Sequence, residues 1–283
     1  MSSKINSFLL VSVILISSCS SNEKKDGDAV AKVDATLDNT YNSEKFDFVL
    51  PQPISLAKAF QASGLTYNAG LANPASNKTR YNTKVKQLLN LGVYSTDLAY
   101  CAINEQAQQA REYLNAVQEL GNAVGLKPVF SDKKLVEKFD KSLNNTEAVE
   151  DLIYDIQESS EAYMDDNDIR YLAIIQFAGS WTEGMYLGIK DLETKQNENL
   201  SVTLIDQINL LENIIEGIKT YPTSDQTLTS VTNKLKDILK TYNSLESVKL
   251  AAKSSTFAFP KLTKTEISTL SSKVIDLRNY IIQ

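Results

Sequence analysis

Apolar residues recur at alternating intervals of three and four along most of the chain, and this spacing predicts α-helices. The longest pattern covers residues 79–124 and keeps one face apolar for about ten turns, and Gly92 is the point within it where a break would fall. Gly125 and Pro128 end the pattern. The stripe consists of Leu89, Val93, Thr96, Tyr100, Ile103, Ala107, Ala110, Leu114, Val117, Gly121 and Val124.

The same spacing predicts further helices on both sides of this pattern. A short helix follows Pro51 and Pro53 and ends near Gly64. The later helices are predicted over 132–144, 147–164, 168–193, 200–220, 226–248 and 265–282.

Turn signals separate these segments, and no stretch alternates with a period of two for long enough to predict a sheet. We therefore predict an all-α fold, a single bundle of about seven or eight mostly antiparallel helices. The turn signals are Asn144-Asn145, Asp165-Asp166-Asn167, Tyr221-Pro222 and Phe259-Pro260.

The amino terminus has the pattern of a bacterial secretion signal. Lys4 gives it a positive start, and residues 8–16 (FLLVSVILI) form an apolar run too short to span a bilayer. The run ends in the motif ISSC at 16–19, which resembles the lipobox of bacterial lipoproteins. In that family the signal is cut before the cysteine, which then carries acyl chains on its sulfur and its amino group, and two such anchors give stable membrane attachment. The alternative is an ordinary cleaved signal in which Cys19 is incidental.

The resemblance implies a division of the chain and a location. The parts are a signal peptide over 1–18, a lipidated Cys19 with a flexible polar tether as far as residue 45, and an all-helical domain over 46–283. Ser20 follows the cysteine, which by resemblance to Gram-negative lipoproteins implies the outer membrane, in either the periplasmic or the surface-facing leaflet. The stretches LGVYSTDLAYCAINEQ and AGSWTEGMYLG are also similar to helical Gram-negative lipoproteins of unassigned function. That similarity implies a helical secreted domain and assigns no residue roles.

Composition narrows the range of functions. The 283 residues include no histidine, which excludes histidine-based nucleophilic catalysis and zinc motifs built on histidine. A net charge of −6 with little arginine argues against nucleic acid as a partner. No phosphate-binding loop or other cofactor motif occurs, so no cofactor is expected. Cleavage at the lipobox would leave Cys101 as the one free thiol, and its apolar neighbours predict that it is buried.

Two groups of acidic residues invite a metal-binding reading, and neither predicts a metal site. Glu105, Glu112 and Glu119 lie opposite the apolar stripe, which is the position of a solvated helix face. The stretch 164–172 (MDDNDIRYL) lacks the glycine and the ligand spacing of a calcium loop. We interpret it as a helix start, with Asp168 or Asn167 as the capping residue.

The stretch 171–189 is apolar nearly all round, which is typical of a helix at the centre of a bundle. One of its sides carries two aromatic residues and a notch for a neighbouring helix, formed by Phe177, Trp181, Gly184 and Gly188. Another side carries a polar stripe, formed by Gln176, Ser180 and Glu183. We expect this stripe to have a hydrogen-bond partner, which would be Asp97, Tyr94, Tyr100 or a lysine. Three readings stay open, namely that the stripe lines a pocket, packs in a polar network or faces solvent.

These observations give three hypotheses for the function. The first is a membrane-anchored, non-enzymatic binding or assembly protein that holds an envelope protein or a small ligand near Trp181 and Glu183. The second is a hydrolase in which Asp97 and Glu183 act as the two carboxyl groups in an acidic cleft between helices. The third is a purely structural envelope protein.

Overall fold

The regular structure is entirely helical in the part of the chain that the structure describes. The structure, a computed structural model, describes residues 50–130, 134–142, 145–254 and 259–283. These residues belong to one compact unit, Glu44–Gln283. The predicted signal peptide, Cys19 and the tether lie outside the described residues. The prediction of an all-α fold is confirmed.

Twelve α-helices and one 3₁₀ helix occur within the described ranges. The 3₁₀ helix is Ala75–Arg80, between the first two α-helices. The α-helices are α1 Pro53–Ala62, α2 Lys84–Ile103, α3 Ala107–Val124, α4 Lys127–Phe130, α5 Lys134–Ser142, α6 Thr146–Asp166, α7 Tyr171–Thr194, α8 Glu198–Ile208, α9 Leu211–Ile218, α10 Gln226–Ser244, α11 Glu246–Ala252 and α12 Lys264–Ile281.

The long helix predicted over 79–124 is a hairpin of two helices, α2 and α3, which pack against each other. The chain turns at Glu105, whose φ is 59°, and the N–H of Gln106 donates to the Cys101 carbonyl. The break thus lies at residues 104–106 and not at Gly92. The spacing of the apolar positions does not reveal it, because a three-residue turn leaves that spacing intact on both sides. The predictions over 200–220 and 226–248 are likewise each divided, into α8 and α9 and into α10 and α11.

The predicted cap at 167–168 is wrong. Helix α7 begins at Tyr171 with Arg170 before it, and no side chain caps that end. Asn167 instead ends α6, and Asp168 takes a left-handed conformation with φ 56° in the turn. Aspartate tolerates this conformation better than most residues, so the acidic stretch forms the turn between two helices.

Helices α2 and α7 form the centre of the fold and touch backbone to backbone. A Cβ added at Gly92 of α2 would lie 1.8 Å from the Gln176 carbonyl oxygen of α7. A Cβ added at Gly179 of α7 would lie 1.9 Å from the Leu89 carbonyl oxygen of α2. Gly92 is thus required for a close helix crossing, and no helix break occurs there.

The rest of α7 matches the prediction of a central helix. Trp181 is fully buried, and the notch at Gly184 and Gly188 receives Phe60 of α1. Although α7 is apolar over most of its length, none of the helices searched in the described part is long and apolar enough to cross a membrane. The glutamates at 105, 112 and 119 are exposed, as predicted for a solvated face.

Candidate functional site

Glu183 of α7 forms an ion pair with Arg278 of α12 at the centre of the fold. The Arg278 Nε and Nη2 atoms donate to the two Glu183 carboxylate oxygens, each at 2.9 Å. Glu183 is fully buried, and only 7% of Arg278 is exposed. Nη2 also donates to the Leu71 carbonyl at 3.0 Å, and the guanidinium carbon lies 4.1 Å from the centre of the Tyr186 ring. Two parallel hydrogen bonds and a stacked ring fix the guanidinium in one orientation.

Sequence reasoning missed Arg278, since it named a lysine or the α2 side chains as partners of Glu183. A signal was nevertheless present. Arg278 lies four residues after Val274 and three before Ile281, so it shares the buried face of α12 with both. A charged residue at a core position of a helix calls for an opposite charge on a neighbouring element.

Asp97 of α2 is fully buried beside this ion pair. Its Oδ2 atom accepts from the Asn73 backbone N–H at 3.1 Å. Burial raises the pKa of Asp97 well above its usual value, and the Glu183 charge and a hydrogen bond to Glu183 raise it further, against the opposing effects of Arg278 and Asn73. Oδ1 accepts no hydrogen bond from the described residues, and two ionised carboxylates can only accept. The structure therefore supports a neutral Asp97 that donates to the Glu183 carboxylate, beside an arginine that balances the Glu183 charge.

The segment between α1 and α2, residues 65–81, is bound to this polar centre, and we call it the covering segment. Its backbone bonds to side chains at Leu71, through Arg278, and at Asn73, through Asp97. The Asn73 side chain donates to the Tyr81 hydroxyl at 3.0 Å within the segment. The covering segment contains little regular structure of its own. Buried polar side chains of α2 and α12 therefore supply hydrogen-bond partners for its backbone N–H and C=O groups.

Tyr94 and Tyr100 extend the same arrangement along α2. The Tyr94 hydroxyl donates to the Pro74 carbonyl at 3.0 Å. The Tyr100 hydroxyl donates to the Thr66 carbonyl at 3.0 Å and accepts from the Asn68 N–H at 2.7 Å. Burial raises the pKa of both tyrosines, so they stay neutral donors. Three α2 side chains named from the sequence therefore bind the covering segment.

The polar stripe of α7 is divided between different surroundings. Ser180 is fully buried, and its hydroxyl donates to the Gly92 carbonyl at 3.0 Å across the helix crossing. Gln176 is half-buried and lines a small cavity beside Gln157 of α6. The Trp181 Nε1 atom donates to the Gln207 carbonyl at 2.9 Å and joins α7 to α8. The structure thus brings Glu183 and Asp97 together and leaves Gln176 apart from them.

Asp97 and Glu183 line none of three cavities that lie among the described residues. The first, of about 40 Å³, lies beside Gln176 and Phe177. The second, of about 610 Å³, lies between the start of α8 and residues 259–262. The third, of about 380 Å³, lies among α4, α5 and α6.

The geometry of the two carboxyl groups bears on the reaction predicted for them. Hydrolysis by two carboxyl groups requires a substrate between them, with a separation of about 5 Å or more. Arg278 donates a hydrogen bond to each Glu183 oxygen, and Glu183 lies close enough to Asp97 for its charge to raise the pKa of that carboxyl group. In this arrangement Arg278 and Asp97 bind the backbone of the covering segment.

Comparison with known proteins gives no relative from which to carry over an activity. No protein-family model, curated protein or solved structure matches the chain. Its function therefore has to follow from its own residues and their arrangement.

The buried acid should be visible in the pH dependence of stability. The pKa of Asp97 is raised above 3.8 in the folded state, so between about pH 4 and the folded pKa the folded chain holds a proton that the unfolded chain has lost. The stability contributed by this proton is complete below pH 3.8 and is lost as the pH rises through the folded pKa, with a slope of up to about 1.4 kcal/mol per pH unit. Asp97→Asn keeps an acceptor for Asn73 and a donor for Glu183 without titrating. We expect it to remove this slope and to match or exceed the wild-type free energy of unfolding at pH 7.

Urea denaturation followed by Trp181 fluorescence from about pH 4 to 8 measures this slope. The matched control is Asp206→Asn, an exposed acid on α8, which should retain the wild-type pH dependence. A wild-type slope in Asp97→Asn would mean that Asp97 is ionised in the folded state.

Proposed function

We propose that the chain is a lipid-anchored, non-enzymatic binding protein of the bacterial envelope, attached to the outer membrane. The observation that carries the non-enzymatic part is the occupation of both Glu183 oxygens by Arg278. This bonding commits the best catalytic candidates of the sequence to holding α2, α7, α12 and the covering segment together. Binding then has to use the outside of the helical body.

The anchor is proposed from the sequence of the first 19 residues. A positive start, a short apolar run and the motif ISSC at 16–19 resemble a lipoprotein signal. In this proposal the polar residues 20–45 connect the lipid anchor to the helical body.

The anchor is tested by replacing the two cysteines of the chain in turn. We expect Cys19→Ala to abolish incorporation of labelled palmitate and to release the protein from the membrane fraction, since the lipid would have no attachment site. Cys101→Ala is the matched control, because Cys101 is buried in the helical body. It should be labelled and sediment as the wild type does. Palmitate label in Cys19→Ala would contradict the anchor.

The binding role is tested by amine-reactive crosslinking in intact membranes with the same three proteins. Wild type and Cys101→Ala should each give a discrete adduct with another envelope component, and Cys19→Ala should lose it. If the anchored protein gives no adduct, the binding function is contradicted.

A further inference from the structure

Helix α6 has an extreme charge. Its 21 residues include eight acids and no basic residue. In the described part of the chain only two of these acids form ion pairs, Glu150 with Lys58 and Asp165 with Arg170. Solubility alone does not account for a helix whose charged residues are all negative, because repulsion between like charges within a helix lowers its stability.

The acids on one edge of α6 form a row. Glu147, Asp151, Asp155 and Glu158 follow one another at intervals of four, four and three residues, and all four are exposed. At 1.5 Å per residue the row is about 16 Å long. A row at this spacing matches the spacing of basic residues along one face of a second helix.

The row borders the cavity of about 380 Å³, which we call the acidic groove. Its α6 side runs from Leu152 to Ala162, about 15 Å along the helix axis. Its nine lining residues are five apolar and four polar, and the polar ones are Asp155, Glu158, Ser159 and Lys138. The apolar members are Val129 of α4, Leu135 of α5, and Leu152, Ile156 and Ala162 of α6.

From this juxtaposition we propose that the acidic groove binds a basic amphipathic helix of a partner protein. The inference rests on the proposed binding function and names the class of its partner. The apolar face of such a helix would pack on Leu152 and Ile156, and its lysines or arginines would lie opposite Asp155 and Glu158. A groove lined by side chains of neighbouring helices can receive a third helix by ordinary ridge-into-groove packing.

The charge of the groove selects among occupants. An anionic lipid surface or a nucleic acid would be repelled by the row, and an acidic peptide would meet the same repulsion. Lys138 of α5 is the one basic residue among the lining side chains. Its positive charge lowers the attraction for a basic helix, so replacing Lys138 with an acidic residue should strengthen binding.

The test uses a fluorescein-labelled amphipathic helix of about 14 residues made of leucine and lysine, and a second peptide with glutamate in place of lysine. Each is titrated by fluorescence anisotropy against the chain from residue 19 with Cys19→Ser, which carries no lipid. We expect the lysine peptide to bind and the glutamate peptide not to bind. Equal binding of both peptides would overturn the proposal.

Variants locate the binding. The double variant Asp155→Asn with Glu158→Gln should lower the affinity for the lysine peptide about fivefold at low salt. Lys138→Glu should raise that affinity about threefold. Ala162→Trp, which fills the groove from an exposed position, should weaken it about tenfold or more. The charge control is Asp206→Asn with Glu212→Gln, on α8 and α9, and the filling control is Asn243→Trp on α10. All three control positions are exposed, so both controls should bind as the wild type does.

Unchanged affinity in the groove variants, or equal losses in the controls, would overturn the proposal. So would self-association of the chain through the groove, detected by sedimentation and removed by Ala162→Trp, because the occupant would then be a second copy. An adduct in membranes that persists in the groove variants overturns this inference and leaves the proposed function in place. Absence of any adduct removes the proposed function itself.

Discussion

Arg278→Leu is expected to lower the free energy of unfolding by about 3–5 kcal/mol, the usual result of removing one partner from a buried ion pair. The substitution leaves the Glu183 carboxylate without a cation at a fully buried position, beside a second carboxyl group. It also removes the donor to the Leu71 carbonyl, so the covering segment loses one of its attachments. Leucine fills part of the space and supplies none of these hydrogen bonds.

A matched control comes from the same helix. Lys273 of α12 pairs with Asp237 of α10 at 2.7 Å, but both side chains are about half exposed, so the pair is solvated. Lys273→Leu should therefore lower the free energy of unfolding far less than Arg278→Leu does. The double variant Glu183→Leu with Arg278→Leu should be more stable than Arg278→Leu alone, since no unpaired charge remains. Urea denaturation of the wild type and the three variants measures these free energies of unfolding. Equal losses of free energy for Arg278→Leu and Lys273→Leu would show that the Glu183 pair is solvated.

The helical fold could be predicted because its signal is local. The spacing of Val274, Leu277 and Ile281 shows a buried face of α12 without knowledge of what lies opposite. The apolar surroundings of Trp181 in the same way indicate a central helix. Turns are harder to place, because three residues at 104–106 reverse the chain without disturbing the apolar spacing on either side.

The candidate site could be predicted only in part. Asp97 and Glu183 were paired from the sequence because both are polar residues in otherwise apolar stretches, where a partner is required. Their environment depends on contacts across long sequence separations. Arg278 lies 95 residues from Glu183, and the covering segment has no periodicity that would place it over α2. No local pattern contains either fact.

Gly179→Ala is expected to cost about 3 kcal/mol or more, toward or beyond the upper end of ordinary overpacking. The new methyl group would lie 1.9 Å from the Leu89 carbonyl oxygen and 2.8 Å from its carbon, which are backbone atoms in the middle of α2. A helix backbone cannot move aside as a side chain can, so α2 and α7 would have to separate. That separation would stretch the bond from Ser180 to the Gly92 carbonyl and disturb the contact of Asp97 with Glu183.

Gly184→Ala on the same helix is the matched control, because its methyl group would meet the ends of the Leu56 and Phe60 side chains, at 2.9 and 3.2 Å. Those side chains can rotate, and alanine favours the helix over glycine by about 1 kcal/mol, so the net cost should stay within about 1 kcal/mol. Thermal or urea unfolding of both variants measures the difference. Gly92→Ala should resemble Gly179→Ala, because a Cβ there would lie 1.8 Å from the Gln176 carbonyl oxygen. If Gly179→Ala and Gly184→Ala unfold alike, the two central helices are not in backbone contact, and the polar centre that depends on their crossing would have a different geometry.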